Sequence, residues 1–325
     1  MTHLSQNPYA SIISLSKAFC QKSLLPSDVI AAQLARIELL DISLGSYQNV
    51  YKTSALKAAK SADAAFAANQ RIGPFHGVPF ALKDIYDLAG HITSYGSWEM
   101  RGRVSSKTGS IAKRLLDAGG ILLGKTKTVE CALGGWGTNH HMGTPRNPWD
   151  LEHERVPGGS SSGSGVAVAS GMAMCATGSD TGGSIRLPAA YCGLAGLKVS
   201  KTCLPTDGIM PLSNSLDTPG PMARSVQDLA LMFAIMSGVP SMDIDRDMTE
   251  MNGIADTKLS ILKGLKLGVL EPAERQVCDP AMLASYDAAL NLLEPLGAEL
   301  KIFKGSSLFL DLILSSASYK IFSAI

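Results

Sequence analysis

Residues 157–184 read PGGSSSGSGVAVASGMAMCATGSDTGGS. More than half of them are Gly or Ser, and Asp180 is the one charged residue, a composition that a flexible linker could also have. The interior VAVASGMAMCATG argues against a linker, because its apolar side chains would find nothing to bury against. The pattern predicts a buried helix flanked by two Gly/Ser loops, with small residues wherever that helix packs closely on its neighbours.

Outward from this stretch, helices alternate with buried strands. Ser27 is the expected cap of a helix running to about Leu40, with Ile30, Leu34 and Ile37 on one face. An Ala-rich helix is predicted from about Thr53 to Asn69. The Gly/Pro turn in GPFHGVPFALKD leads into an apolar run, Val78 to Leu82, of strand length. Residues 108–125 predict a helix, a stop at Gly119-Gly120 and a strand, ILLG. Ser225 with Asp228 predicts a capping box for a helix through Phe233. Asp279 and Pro280 predict the start of a helix to about Leu293, followed by a strand in AELKIF. The alternation predicts an α/β fold, a mixed sheet covered by helices on both faces.

Composition narrows the function classes. The 325 residues are 46% hydrophobic and 18% charged, enough to build a core. A net charge of +1 with no basic stripe provides no electrostatic footprint for direct nucleic-acid binding. No run of eighteen strongly apolar residues could span a bilayer, and the first residues lack the pattern of a secretory signal. The expectation is a cytoplasmic protein with no membrane partner. The six cysteines are widely spaced with no CxxC, so buried thiols in a reducing compartment are expected.

The second loop carries the chemistry. In Asp180-Thr181-Gly182-Gly183-Ser184, two glycines let successive N–H groups converge on one concavity beside a serine hydroxyl. Donors so placed stabilise an oxyanion, each one worth about 3 kcal/mol of barrier in well-studied cases. The serine still needs a base. The loop GGSSSGSG can supply a hydroxyl, and Lys83, at the end of an apolar run, can supply an amine that burial keeps neutral. Other readings fit less well. Gly159-Ser160-Ser161-Ser162-Gly163 matches a nucleophile elbow, but ERVPGG precedes it instead of a strand. No phosphate-loop motif occurs. Asp243, Asp245 and Asp247 imitate a calcium loop but lack its glycine and its closing glutamate. His140, His141 and His153 lack the further ligands of a metal set.

Lys83-Asp84 after GVPFAL, GGSSSGS at 158–164 and DTGGSIRLPA at 180–189 together resemble the amidase signature family of serine hydrolases. GTPRNPWD (143–150), CGLAGLK (192–198) and SLDTPGPMARSVQDLA (215–230) match the family's habits, and the resemblance spans roughly Pro74 to Phe233. It implies a nucleophile at Ser184, a proton-relaying serine on a cis peptide at Ser160, and the base at Lys83. It implies an oxyanion hole from the amides of Thr181, Gly182, Gly183 and Ser184, with Ser161, Asp180 and Arg186 in support. No metal or organic cofactor is implied, and the partner is a small-molecule amide. Many relatives pair as dimers, so a homodimer is compatible with the resemblance. Ser162 stands where many members have glycine, as in allophanate and biuret-type hydrolases.

The resemblance leaves three functions in contention: an amidase acting on linear amides other than peptide bonds, a glutamine-hydrolysing A subunit of a tRNA-dependent amidotransferase, and a truncated non-catalytic relative. One amidase-signature domain is expected over 1–325, helical over about 1–70 and with its signature core over about 74–235. The C-terminal part reads as incomplete beside family members, since SSASYKIFSAI ends in an apolar helical pattern. His140, Trp136 and Met210 are the candidates for pocket lining.

Overall fold

A computed structural model describes residues 7–240, 244, 262–276 and 278–303. Two compact units divide the chain, 1–248 and 249–325. The sequence reading draws no such division. The first unit holds α1 (Ile12–Cys20), α2 (Pro26–Leu44), β1 (Tyr47–Val50), α3 (Lys52–Ala67), β2 (Pro79–Lys83), α4 (Ser110–Asp117) and β3 (Ile121–Thr126). It continues through α5 (Ser162–Ala169), β4 (Cys175–Asp180), α6 (Arg186–Cys192), β5 (Ala195–Gly196), β6 (Thr218–Ala223) and α7 (Val226–Ser237). In the second unit, β7 (Lys266–Leu270) pairs in parallel with β8 (Glu299–Phe303), and α8 (Pro272–Arg275) and α9 (Pro280–Leu293) lie between them in sequence. The aspartate triplet 243–247 and the C-terminal SSASYKIFSAI lie outside the described residues.

Six strands form one mixed sheet in the order β1-β3-β2-β4-β6-β5. The central pairs β3–β2 and β2–β4 are parallel, and the outer pairs are antiparallel. Alternation of side chains along each strand builds two cores. Phe80, Leu82, Leu122 and Cys175 enter one with α1, α4 and α7, whereas Ala81, Ile121, Leu123 and Ala176 enter the other with α2, α3 and α5. Helices therefore cover both faces, as expected for an α/β fold.

Some elements depart from expectation. Ser27 does not cap α2: Pro26 takes the first helical position, and the Ser27 N–H donates to Asp63 Oδ1 of α3 at 3.0 Å. The predicted buried helix ends at Ala169, followed by Gly171 at φ +71°, and the rest of that apolar run is strand β4. The strand β6, TPGPMA, is unexpected because proline cannot donate to a ladder. It is tolerated because its full antiparallel register is with β4, while the two-residue β5 pairs with it at Ala223 and Met222 and Leu197 N donates to Pro221 O, which asks no donor of the proline. Cys175 and Cys192 are buried as expected, but Cys20, Cys203 and Cys278 are exposed. Ser225 and Asp279 cap their helices, each side chain accepting a helix N–H, but the reciprocal half of the capping box is replaced, the Asp228 carboxylate accepting from Ile12 N of α1 at 2.9 Å.

The small residues of α5 have a steric reason. A Cβ on Gly163 would lie 2.2 Å from Ser46 O and 2.5 Å from Lys127 N, where the helix abuts the end of β3. Gly163→Ala is expected to cost about 2–3 kcal/mol of stability by urea unfolding, since the obstacles are backbone atoms. Gly102→Ala, where nothing lies within 4 Å, is expected to stay within about 0.5 kcal/mol of the parent.

Candidate active site

β2 pairs with β4 at Phe80–Cys175 and Ala81–Ala176, and two residues further on the Lys83 N–H donates to the Thr177 hydroxyl (3.0 Å). Both strands are parallel and end at the same edge, so Lys83 and Asp180 meet where open α/β sheets usually bind ligands. The Lys83 side chain has no exposed surface. Its Nζ donates to Ser160 Oγ at 2.9 Å and to Ser179 Oγ at 2.8 Å. Burial pulls the Lys83 amine from the ordinary lysine range to about 7, against the opposing influence of Asp180 and Asp217.

Ser160 follows a cis Gly159–Ser160 peptide and is fully buried. Its carbonyl accepts from Val129 N and from Thr128 Oγ1, and Gly159 N donates to Gly135 O, so the loop is held from two sides. Turn and loop precede Gly159, so the strand that a nucleophile elbow requires is missing. Ser161 bridges the two Gly/Ser loops: its N–H donates to Ser184 O at 3.3 Å, and its Oγ accepts from Ser179 N at 3.3 Å. Ser184 itself is 6% exposed.

Asp180 organises the 181–186 turn. One carboxylate oxygen accepts from Gly183 N (2.7 Å) and Arg186 Nη2 (3.0 Å). The other accepts from Ile185 N (3.2 Å), Arg186 N (3.3 Å) and Arg186 Nε (3.0 Å). Burial opposes the charge, but Arg186 and the Gly183 and Ile185 amides hold the carboxyl below its usual range. With Gly183 at φ +123°, the chain turns tightly after Thr181. The Thr181 hydroxyl donates to Asp217 Oδ1.

Several site residues escaped the sequence reading. Ser179 is the second hydroxyl on Lys83; Thr177 and Ser179, two apart on β4, both reach toward it, an alternation that the apolar run around them hides. Asp84, beside Lys83 in sequence, is buried with Lys125 of β3, their nearest atoms 3.6 Å apart. Burial pushes that carboxyl up and that amine down, each toward its neutral form. A cleft of about 340 Å³ is lined by Ser179, Thr181, Met210, Leu212 and Asp217 among others. Met210 meets its expectation as a lining residue. Trp136 and His140 do not, since both are exposed outside that cleft. Among the described residues, no group of three His, Cys, Asp or Glu is placed to hold a metal ion, and no helix is long and apolar enough to cross a membrane.

The Amidase family model matches residues 28–324. The chain belongs to the amidase family. It is 37% identical over 290 residues to the A subunit of the glutamyl-tRNA(Gln) amidotransferase of Acidothermus cellulolyticus, covering 88% of this chain and 57% of that protein. It is 40% identical over 259 residues to the 2-amino-5-chloromuconic acid deaminase of Comamonas testosteroni, covering 78% and 54%. Among solved structures, the peptide amidase of Stenotrophomonas maltophilia superimposes with a TM-score of 0.78 at 32% identity, covering 91% of this chain and 62% of that one. The chain thus spans somewhat more than half the length of these amidase-family relatives.

Asp180 receives its five hydrogen bonds from one short turn, so its removal loosens every donor there at once. Asp180→Asn is expected to lose about 2 kcal/mol by urea unfolding at pH 7, toward the low side because the Arg186 guanidinium keeps contact with water. A depressed carboxyl stabilises the fold above its unfolded pKa, so the deficit should shrink as pH falls below about 4.

Proposed function

We propose that this chain hydrolyses the carbon–nitrogen bond of a linear amide, other than a peptide bond, through an acyl intermediate on Ser184. The observation that carries the reading is the fully buried Lys83 amine at 2.9 Å from Ser160 Oγ, with a pKa pulled to about 7. An amine in that range is neutral in half of the molecules near pH 7, which suits a general base.

The steps follow from proton bookkeeping. Neutral Lys83 takes the Ser160 proton as Ser160 takes the proton of Ser184. Ser184 Oγ bonds to the amide carbon, and the carbonyl oxygen becomes an oxyanion facing the amides of Thr181, Gly182 and Ser184; the Gly183 N–H, expected beside them, is held instead by Asp180 Oδ1 at 2.7 Å. The C–N bond then breaks, and the proton returns through Ser160 to the departing amine. Water attacks the acyl carbon, gives its proton to the same relay, and Ser184 leaves reprotonated. Ser161 and the Asp180–Arg186 pair keep the two loops in register. Similarity to the A subunits of amidotransferases supports a second reading in which the amide is glutamine and the ammonia passes to a partner protein.

Incubation with a fluorophosphonate and mapping by mass spectrometry tests the reading. One adduct per chain is expected on Ser184, forming faster as pH rises through about 7. Lys83→Ala should slow it at least about 100-fold. A screen of linear amides, glutamine included, then separates the two readings: turnover of glutamine in preference to other amides favours the second. A folded chain with no Ser184 adduct would leave the non-catalytic reading in force.

A further inference from the structure

Two carboxylates line the cleft and neither is used in that sequence of steps: Asp207 accepts from Ser110 N and Oγ, and Asp217 acts within the site. Asp217 precedes β6, and its side chain joins two parts of the site. Oδ1 accepts from the Thr181 hydroxyl, at the start of the turn that ends in Ser184. Oδ2 accepts from Leu212 N at 2.7 Å, in the wall of the cleft, and from Ser213 N at 2.9 Å beside it. The Asp217 carbonyl accepts from Lys201 Nζ at 3.2 Å, and Lys201 also holds Asn214 O at 2.6 Å. The next residue, Thr218, donates its hydroxyl to Asp180 O at 2.9 Å.

Two carboxylates act on the Lys83 amine, Asp180 first and Asp217 after it. Asp180, at the end of β4, is paired with Arg186 from α6 and still acts on the amine. Asp84, at the end of β2, is paired with Lys125 from β3. Asp217 and Ser179 line one cleft, and Ser179 holds the Lys83 amine. The hydrogen bonds to the Asp217 carboxylate described above come from neutral donors, while the Lys201 ammonium in the same cleft is held on the Asp217 carbonyl; with Asp180, the Asp217 charge favours the protonated Lys83 amine.

We infer that Asp217 is a positioning residue for the reaction proposed above: it ties the Thr181 turn to the cleft wall at Leu212 and keeps a negative charge in the cleft that reaches the Lys83 amine. The inference rests on that reading of the reaction. The tether fixes the oxyanion donors relative to whatever the wall contacts, and the charge sets the pH at which Lys83 becomes a base.

The two roles separate by variant. Fluorophosphonate labelling of Ser184 is followed as rate against pH for the parent, Asp217→Asn and Thr181→Val. Asp217→Asn is expected to slow labelling about tenfold at its pH plateau and to move the acid limb down by roughly half a pH unit. Thr181→Val removes the tether but no charge, so a similar slowing with the limb in place is expected. An Asp217→Asn protein with the parent rate, or with its limb unmoved or raised, overturns the inference. If Asp217→Asn does not fold, Thr181→Val decides, and a parent-like rate overturns the tether. Lack of any Ser184 adduct on the parent overturns the reaction itself, an outcome distinct from a labelled parent with unaffected variants.

Discussion

A lysine amine with no exposed surface lies between the hydroxyls of Ser160 and Ser179. An isolated ammonium buried this way would cost several kcal/mol, and the protein meets that cost by two short hydrogen bonds and by easing the amine toward neutrality. Everything nearby serves this arrangement. Parallel strands β2 and β4 must end side by side, and the Thr177 hydroxyl must take the Lys83 N–H that the ladder leaves over. The loop before α5 must also be held from Val129, Thr128 and Gly135 so that Ser160 faces the amine.

The second requirement is a stiff turn after β4. A single buried carboxylate, Asp180, accepts from three backbone amides and from both arms of Arg186, which fixes the path from Thr181 to Ser184 before any ligand arrives. Close approach of α5 to the sheet brings the two serine loops together, and glycine and alanine along that contact make the approach sterically possible. The local chemistry and the small-residue packing are thus two aspects of one constraint.

Much of this was legible in the sequence, for physical reasons. Lys83, Ser160, Ser184 and Asp180 sit in three short motifs whose joint resemblance to the amidase signature family implied their roles, and only the glycines before Ser184 were legible from backbone geometry itself. Capping at Ser225 and Asp279 was readable for the same reason. Long-range pairing was not. Ser179 reads as one more small residue in an apolar run until β4 is set beside β2. Asp217 reads as part of a loop until Thr181 is brought to it from 36 residues away. The prolines of β6 hid a strand whose neighbours alone make it tolerable. Ser27 lost its expected capping role because Asp63, from another helix, supplies the acceptor.

The central claim is that Lys83 is a neutral-range amine held by hydroxyls. Its most direct test is a pH titration by NMR of the protein labelled with 13C at lysine Cε, with the Lys83 resonance assigned by its loss in Lys83→Met. The account predicts a titration midpoint near 7, well below the other lysines. A Lys83 resonance that titrates with the surface lysines, near the ordinary value of about 10.4, would contradict it.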